Sequence, residues 1–396
     1  MKNQDIIELT HRYVAQTYAR FPIALVRGKG LKVWDADGKQ YLDFAAGIAV
    51  SSLGHNHPTV VRAIQRQAKN LIHVSNLYHI APQSELARDL CRRSFADRVF
   101  FCNSGAEANE AAIKLVRRYG AERLGGRYEI LSMLNSFHGR TLATLTATGQ
   151  EKIRLGFDPL PPGFRQVPYG DVDAVENAIG EKTAAVLVEP IQGEGGVVVP
   201  QEGYLQGLRE LCNNRGLLLI FDEVQVGMGR TGKLFAYEHF GVEPDIMTLA
   251  KALGGGLPVG AMLAKEEVAY SFVPGTHAST FGGNPLVCSV ALAVLKTLVR
   301  DGVLRNCVKM GKVLFQGLQA LKERFGFIRD IRGKGLILGV EIEGDASKIV
   351  AECLQAGLLI TSAGHNNVLR FLPPLIVSKR DIDRGLAIFT KVLARQ

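Results

Sequence analysis

Three short stretches of this 396-residue chain set reactive side chains at the ends of apolar runs. Lys251 lies in Leu249-Ala250-Lys251-Ala252-Leu253 and is followed by Gly254-Gly255-Gly256. Lysine is almost always solvated unless its charge has a use. Partial burial beside another cation lowers the ammonium pKa and makes the amine a better nucleophile toward an aldehyde. A lysine whose stem lies along apolar surface while its ammonium reaches water leaves the same local pattern. In Phe221-Asp222-Glu223-Val224-Gln225 an apolar run delivers two carboxylates together. Acids at strand ends are common surface residues, and no oxygen-rich cluster nearby in sequence supports a Mg²⁺ site. Asn103-Ser104-Gly105-Ala106-Glu107-Ala108-Asn109 follows the run ending at Cys102 and opens a helical pattern. Small residues at such a turn let backbone N–H groups approach an anion at the positive end of a helix, as a phosphate requires. An ordinary N-cap by Asn103 or Ser104 accounts for the same residues, and Glu107 would repel a phosphate unless its side chain turns away.

A fourth stretch, Gly227-Met228-Gly229-Arg230-Thr231-Gly232-Lys233, has the glycine and lysine spacing of a P-loop. Leu234 follows where Mg²⁺ coordination needs Ser or Thr, and the segment trails an acidic turn instead of a strand. Nucleotide hydrolysis is therefore set aside.

The elements that must position these residues alternate. Val99-Cys102, Ile130-Leu134, Ala184-Val188 and Leu217-Phe221 read as buried strands, and Ala106 to Tyr119 and Leu205 to Arg215 have helical spacing. That order implies a largely parallel sheet covered by helices on both faces, with ligands bound beyond the carboxyl ends of the strands. After Asn284-Pro285 a long helical run, Leu286 to Leu321, precedes a strand at Leu336-Ile342, which reads as a second, α+β domain. Trp34 to Tyr41 reads as a hairpin around Asp37-Gly38. We expect residues 1–50 to pack with the small domain, residues 51–285 to form the large one and residues 286–396 the small one.

Composition narrows the partners. The formal charge is +9, but the basic residues come as isolated pairs or interleaved with acids, without the aromatic-studded basic block of a single-strand binder. Anionic small molecules are the better match, with no nucleic acid. No run is apolar enough to span a bilayer and the first 30 residues lack a signal-peptide core, so no membrane association and a cytoplasmic location are expected. The six cysteines have no metal-site spacing and read as reduced, mostly buried thiols.

In their order along the chain these motifs resemble the class III, fold type I aminotransferases that depend on pyridoxal 5'-phosphate (PLP), in particular the acetylornithine and ornithine aminotransferase branch. The resemblance runs from about Tyr41 to Pro374 and includes Gly54-His55-Asn56-His57-Pro58, Phe137-His138-Gly139-Arg140-Thr141, Glu189-Pro190-Ile191-Gln192-Gly193-Glu194-Gly195-Gly196, Ala250-Lys251-Ala252, Ser279-Thr280-Phe281-Gly282-Gly283-Asn284-Pro285 and Arg370-Phe371-Leu372-Pro373-Pro374. It implies an α/β fold with a mainly parallel seven-stranded sheet plus a smaller α+β domain. It also implies that Lys251 condenses with the cofactor aldehyde, that Asp222 pairs with the ring nitrogen, that Gln225 lies near the phenolic oxygen and that Phe137 stacks on the ring. Glu223 and Val224 flank these in the cofactor motif. Gly105 and Ala106 would offer N–H groups to the phosphate, completed by Thr280 of a second subunit in a homodimer with shared sites.

For substrates, the resemblance implies that Arg140 grips a carboxylate with Ser279 nearby, a bidentate geometry lysine cannot reproduce. Arg370 would bind the α-carboxylate of 2-oxoglutarate, and Glu194 would neutralise Arg370 when the bound amine has no carboxylate there. Ornithine aminotransferases carry a tyrosine that helps hold the free α-amino group. Ile48 aligns with it here, and an apolar residue better tolerates an acylated nitrogen. Ser51-Ser52 and Asn56 also depart from the commoner family residues. The reading favoured by the resemblance is the terminal amino group of N2-acetyl-L-ornithine passed to 2-oxoglutarate, in arginine biosynthesis, with N-succinyl-diaminopimelate as a second donor. Ornithine, succinylornithine and 4-aminobutyrate aminotransferases are the near rivals, and a PLP-binding protein or nucleic-acid regulator without turnover is the rival of another class.

Overall fold

Runs of Ala, Val, Leu and Ile become strands here because helices cover them from both sides. In the computed structural model, which describes residues 1–396, the strands are β1 (Leu25–Lys29), β2 (Lys32–Asp35), β3 (Gln40–Asp43), β4 (Arg98–Cys102), β5 (Glu129–Met133), β6 (Phe164–Val167), β7 (Thr183–Val188), β8 (Leu218–Asp222), β9 (Ile246–Leu249), β10 (Gly260–Ala264), β11 (Ile328–Lys334), β12 (Ile337–Ile342), β13 (Leu358–Leu359), β14 (Thr361–Ala363) and β15 (Val368–Phe371). A seven-stranded sheet has the order β4-β10-β9-β8-β7-β5-β6, and every strand is parallel to the others except β10, which runs against both its neighbours. The central β7, β8 and β9 are buried along their whole length, whereas the edge strands β4 and β6 are partly exposed. Unbroken apolar sequence follows from that two-sided burial. The α/β fold and the seven-stranded, mainly parallel sheet are as expected.

The helix Gly105–Arg123 crosses β9 and β10, and Tyr204–Arg215 packs on β8. Trp34 to Tyr41 forms the expected hairpin, with Val33 opposite Tyr41. Its strand β3 pairs in parallel with β13, so N-terminal residues share a four-stranded sheet, β1-β2-β3-β13, with the C-terminal part of the chain. A third sheet has the order β11-β12-β15-β14.

The single helical run expected over Leu286 to Leu321 is two helices, Pro285–Arg300 and Val303–Arg324. Gly302, at φ +73°, takes a left-handed conformation between them that few other residues adopt without strain. Apolar spacing continues across the break, which hides it from a periodicity argument. The first of these helices packs on Pro58–Ala68 and Ala81–Cys91, so contacts run across residue 285.

Gly227 to Lys233 is a succession of turns and bends followed only by a single 3-10 turn, Ala236–His239, and not by the α-helix a P-loop opens. Its Arg230 is fully buried and donates to the carbonyls of Leu336 and Pro373 and to Ser52 Oγ, pinning three distant segments together. All six cysteines are free thiols, five of them buried. No helix is long and apolar enough to cross a membrane.

Candidate active site

The carboxyl ends of β4, β5, β7, β8 and β9 open onto one cavity of about 460 Å³. Each strand end supplies part of its lining: Gly105 and Ala106 after β4, Phe137 and Arg140 after β5, Glu194 after β7, Asp222, Val224 and Gln225 at and after β8, and Lys251 after β9. Residues up to 146 positions apart in sequence thus meet at one edge of the sheet, counting from Gly105 to Lys251.

Lys251 sits at φ +42°, an uncommon conformation for a residue with a side chain, just beyond β9. Strain of this kind persists where the surroundings dictate the backbone, and it is concentrated at functional sites. Desolvation pulls its ammonium pKa below the ordinary value, opposed by Glu194, reinforced by Arg370, and opposed again by Asp222 and Glu189. Lowering the ammonium pKa favours the neutral amine, the form that can act as a nucleophile.

Asp222 is buried and fully engaged. Its Oδ2 accepts from Asn109 Nδ2 at 2.8 Å and lies 2.8 Å from His138 Nδ1, while Oδ1 accepts from the Val224 N–H at 3.0 Å. Asn109 is fixed in turn, since its Oδ1 accepts from Thr248 Oγ1 and its Nδ2 also donates to the His138 carbonyl. His138 Nε2 is buried with no hydrogen-bond partner. Sequence reasoning gave no role to His138, Asn109 or Thr248. The first two lay within motifs already noted, but nothing local says that they close on Asp222.

At the start of the helix Gly105–Arg123, Ser104 Oγ accepts from the Glu107 N–H at 3.2 Å. Glu107 turns its carboxylate back onto the Asn103 N–H at 2.5 Å and Asn103 Nδ2 at 3.2 Å, which removes the objection to an anion here. Gly105 is required by close approach, because a Cβ there would lie 2.7 Å from Val224 Cγ1. Arg140 is exposed, with its guanidinium carbon 5.6 Å from the centre of the Phe137 ring.

Arg370 and Glu194, 176 residues apart, form an ion pair of 2.7 Å beside Lys251. Gln225 bridges the two, accepting from Arg370 Nη1 at 3.0 Å and donating to Glu194 Oε1 at 2.9 Å. Gly193 makes room for it, since a Cβ there would lie 2.2 Å from Gln225 Oε1. Desolvation raises the Glu194 pKa, but the charges of Arg370 and Lys251 and the hydrogen bonds from Arg370 and Gln225 outweigh it and bring the carboxyl down to about 2.

Other expected residues lie elsewhere. Glu223 points away from the cavity, accepting from the N–H groups of Ala236 and Tyr237. Ser279 is one hydrogen bond removed, with its Oγ accepting from Asn103 Nδ2 at 3.3 Å. Thr280 is exposed and does not line its own chain's cavity. Ile48 is 44% exposed at φ +60°, within a left-handed turn that leads to the cavity-lining Val50.

A desolvated amine, a buried carboxylate braced by hydrogen bonds, an aromatic wall and an open helix N-terminus on one parallel sheet define a PLP-dependent enzyme. The residues fit that cofactor: amine for its aldehyde, Asp222 for its ring nitrogen, helix N-terminus for its phosphate. The model of the family described as Aminotransferase class-III matches residues 13–393, and the chain belongs to that family of PLP-dependent aminotransferases. The acetylornithine aminotransferase of Caldanaerobacter subterraneus subsp. tengcongensis is 54% identical over 98% of this chain and 99% of that protein. That of Methanocaldococcus jannaschii is 53% identical over 97% of this chain and 96% of its own length. Among solved structures, the ornithine aminotransferase of Toxoplasma gondii superposes with a TM-score of 0.96 at 35% identity, covering 100% of this chain and 96% of that one. The N-acetylornithine aminotransferase of Stenotrophomonas maltophilia gives 0.85 at 40% identity, covering 98% of each.

Proposed function

We propose that the chain transfers the terminal amino group of N2-acetyl-L-ornithine to 2-oxoglutarate, in the cytoplasm and in the service of arginine biosynthesis. The observation that carries this reading is the Glu194–Arg370 pair, bridged by Gln225, beside Lys251. A pocket that must take first a terminal amine and then an α-keto acid needs a cation it can cover and uncover. Glu194 covers Arg370 while a terminal amine is bound. When 2-oxoglutarate enters, its α-carboxylate takes the guanidinium in bidentate fashion and Glu194 withdraws. Arg140, at the exposed rim, takes the remaining carboxylate.

Bound PLP supplies an aldehyde that condenses with amines and a conjugated ring that takes up the electron pair left when a substrate carbon loses its proton. The protein does the rest. Lys251, as a neutral amine, would accept that proton and return it to the carbon two bonds away, on the far side of the nitrogen. Asp222, held in place by Asn109 and His138, would pair with the ring nitrogen. Gly105 and Ala106 offer backbone N–H groups to the phosphate, and Phe137 and Val224 wall the cavity. Acceptance of an acylated amine is supported by Ile48, which offers no hydrogen bond to an α-ammonium, and by the names of the relatives at 53–54% identity.

A homodimer with shared sites is part of this reading. Leu71, Ile72, Leu77, Tyr78 and Phe281 are exposed, and Phe281 flanks Thr280. Asn76 donates to the carbonyls of Ser279 and Gly282, and His73 packs on Phe281 with ring centres 5.2 Å apart, so these apolar residues share one surface. Apolar surface of that kind is suited to a second copy, which would bring Thr280 to the neighbouring cavity. Initial rates with N2-acetylornithine, N-succinyl-diaminopimelate, succinylornithine, ornithine and 4-aminobutyrate, each with 2-oxoglutarate, test the donor. Acetylornithine is expected to be fastest, and faster turnover of free ornithine would reject it.

A further inference from the structure

The Glu194–Arg370 and Asp222–His138 pairs leave one carboxyl group of the cavity without an ion-pair partner. Glu189, the first residue after β7, lines the cavity and is 5% exposed. Its Oε2 is buried and has no hydrogen-bond partner. The titratable groups that face it are Asp222, Lys251 and Glu194, with Tyr169 on the far side, whose hydroxyl donates to the Pro190 carbonyl. Arg370 already serves Glu194 and Gln225.

An ionised carboxylate in this position would be desolvated, unpaired and beside two other carboxylates, a costly arrangement. It would also hold Lys251 as the ammonium, the state that cannot attack an aldehyde. A protonated carboxyl avoids both problems: the enclosed Oε2 no longer carries charge, and the O–H can donate from the other oxygen, which faces the cavity. We propose that Glu189 is a neutral carboxylic acid whose O–H donates a hydrogen bond to the cofactor and substrate bound beside Lys251. The inference rests on that occupancy and not on which amine is used. Burial, then the charge of Asp222, pushes the Glu189 pKa well above its ordinary value, against the pull of Lys251 and the Phe137 backbone.

Two variants and two measurements on the PLP-loaded protein test this. Glu189→Gln keeps the size and a donor but cannot ionise, and Glu189→Leu keeps the bulk and loses the donor. The infrared difference spectrum of wild type minus Glu189→Gln at neutral pH is expected to contain the C=O band of a neutral carboxylic acid. A carboxylate band in its place would overturn the protonation state. In single-turnover reaction with L-glutamate, the donor common to every candidate reaction, Glu189→Gln is expected to stay within about threefold of wild type and Glu189→Leu to fall about ten- to a hundredfold. Equal rates for Leu and wild type would overturn the donor role, as would a Gln variant as slow as Leu. Rejection of acetylornithine as donor leaves both measurements unaffected, so the two failures are distinguishable.

Discussion

The inner wall of the cavity and its rim are built differently. Asp222, His138, Asn109 and Thr248 on the wall are buried, and they hydrogen-bond one another across strands β8 and β9 and the segments that follow β4 and β5. At the rim, Arg140 and Thr280 are exposed, and Ile48 lies in a turn where Ala46, Ile48 and Ala49 all have φ between 48° and 64°. A wall tied together by hydrogen bonds across strands and backed by a close-packed sheet has one arrangement. A rim made of irregular turns can change its residues without disturbing that sheet. On the proposed reading, the difference assigns cofactor chemistry to strand ends and choice of amine to turns. It also explains why the fold superposes on an ornithine aminotransferase with a TM-score of 0.96 and on an N-acetylornithine aminotransferase with 0.85. Overall shape follows the wall and is silent about the donor.

Substitutions should break this contrast in graded fashion. Lys251→Ala is expected to lower transamination by about 10⁴-fold while leaving the circular dichroism spectrum unchanged. Asp222→Ala should lower kcat about 10²- to 10³-fold, and should also lower stability in denaturant titration, because Asn109 and His138 lose their acceptor. At Arg370, buried on β15, Arg370→Lys is expected to raise KM for 2-oxoglutarate about ten- to a hundredfold, since an ammonium cannot fork onto a carboxylate, with the amine half-reaction much less affected in stopped-flow traces. Ile48→Tyr should shift the ratio of kcat/KM for ornithine over acetylornithine about tenfold toward ornithine, and no change would remove Ile48 from the account of specificity.

The smallest effect is on stability in acid. The Glu194 carboxyl is lowered from its ordinary 4.5 to about 2 in the folded chain, so the unfolded chain binds the extra proton first. Its contribution is complete above about 4.5 and is lost as pH falls toward about 2. The difference in unfolding free energy between wild type and Glu194→Gln should therefore shrink over that interval.

How much of this was legible in the sequence follows the same division. The parallel strands could be read because burial on two faces leaves continuous apolar runs, as in Ala184 to Val188. Lys251 could be read because a lysine among apolar residues and glycines is out of place. The break at Gly302 could not, because both helices keep apolar spacing up to it. Adjacent carboxylates look alike in sequence, yet Asp222 faces the cavity and Glu223 the amides of Ala236 and Tyr237, a distinction that depends on how the chain turns after β8. The contacts of Asn109 with Asp222, 113 residues on, and of Thr248 with Asn109, 139 residues back, arise only when the sheet assembles. Nothing local to Glu189 signals that one of its oxygens is left without a partner.

The central claim is that Lys251, where wall meets rim, is the amine that captures the cofactor. Borohydride reduction of the PLP-loaded protein, followed by digestion and mass spectrometry, tests it most directly. The pyridoxyl adduct is expected on the peptide containing Lys251, at a yield near one per chain, and on no other lysine at comparable yield. An adduct on a different lysine, with Lys251 unmodified, would contradict the account.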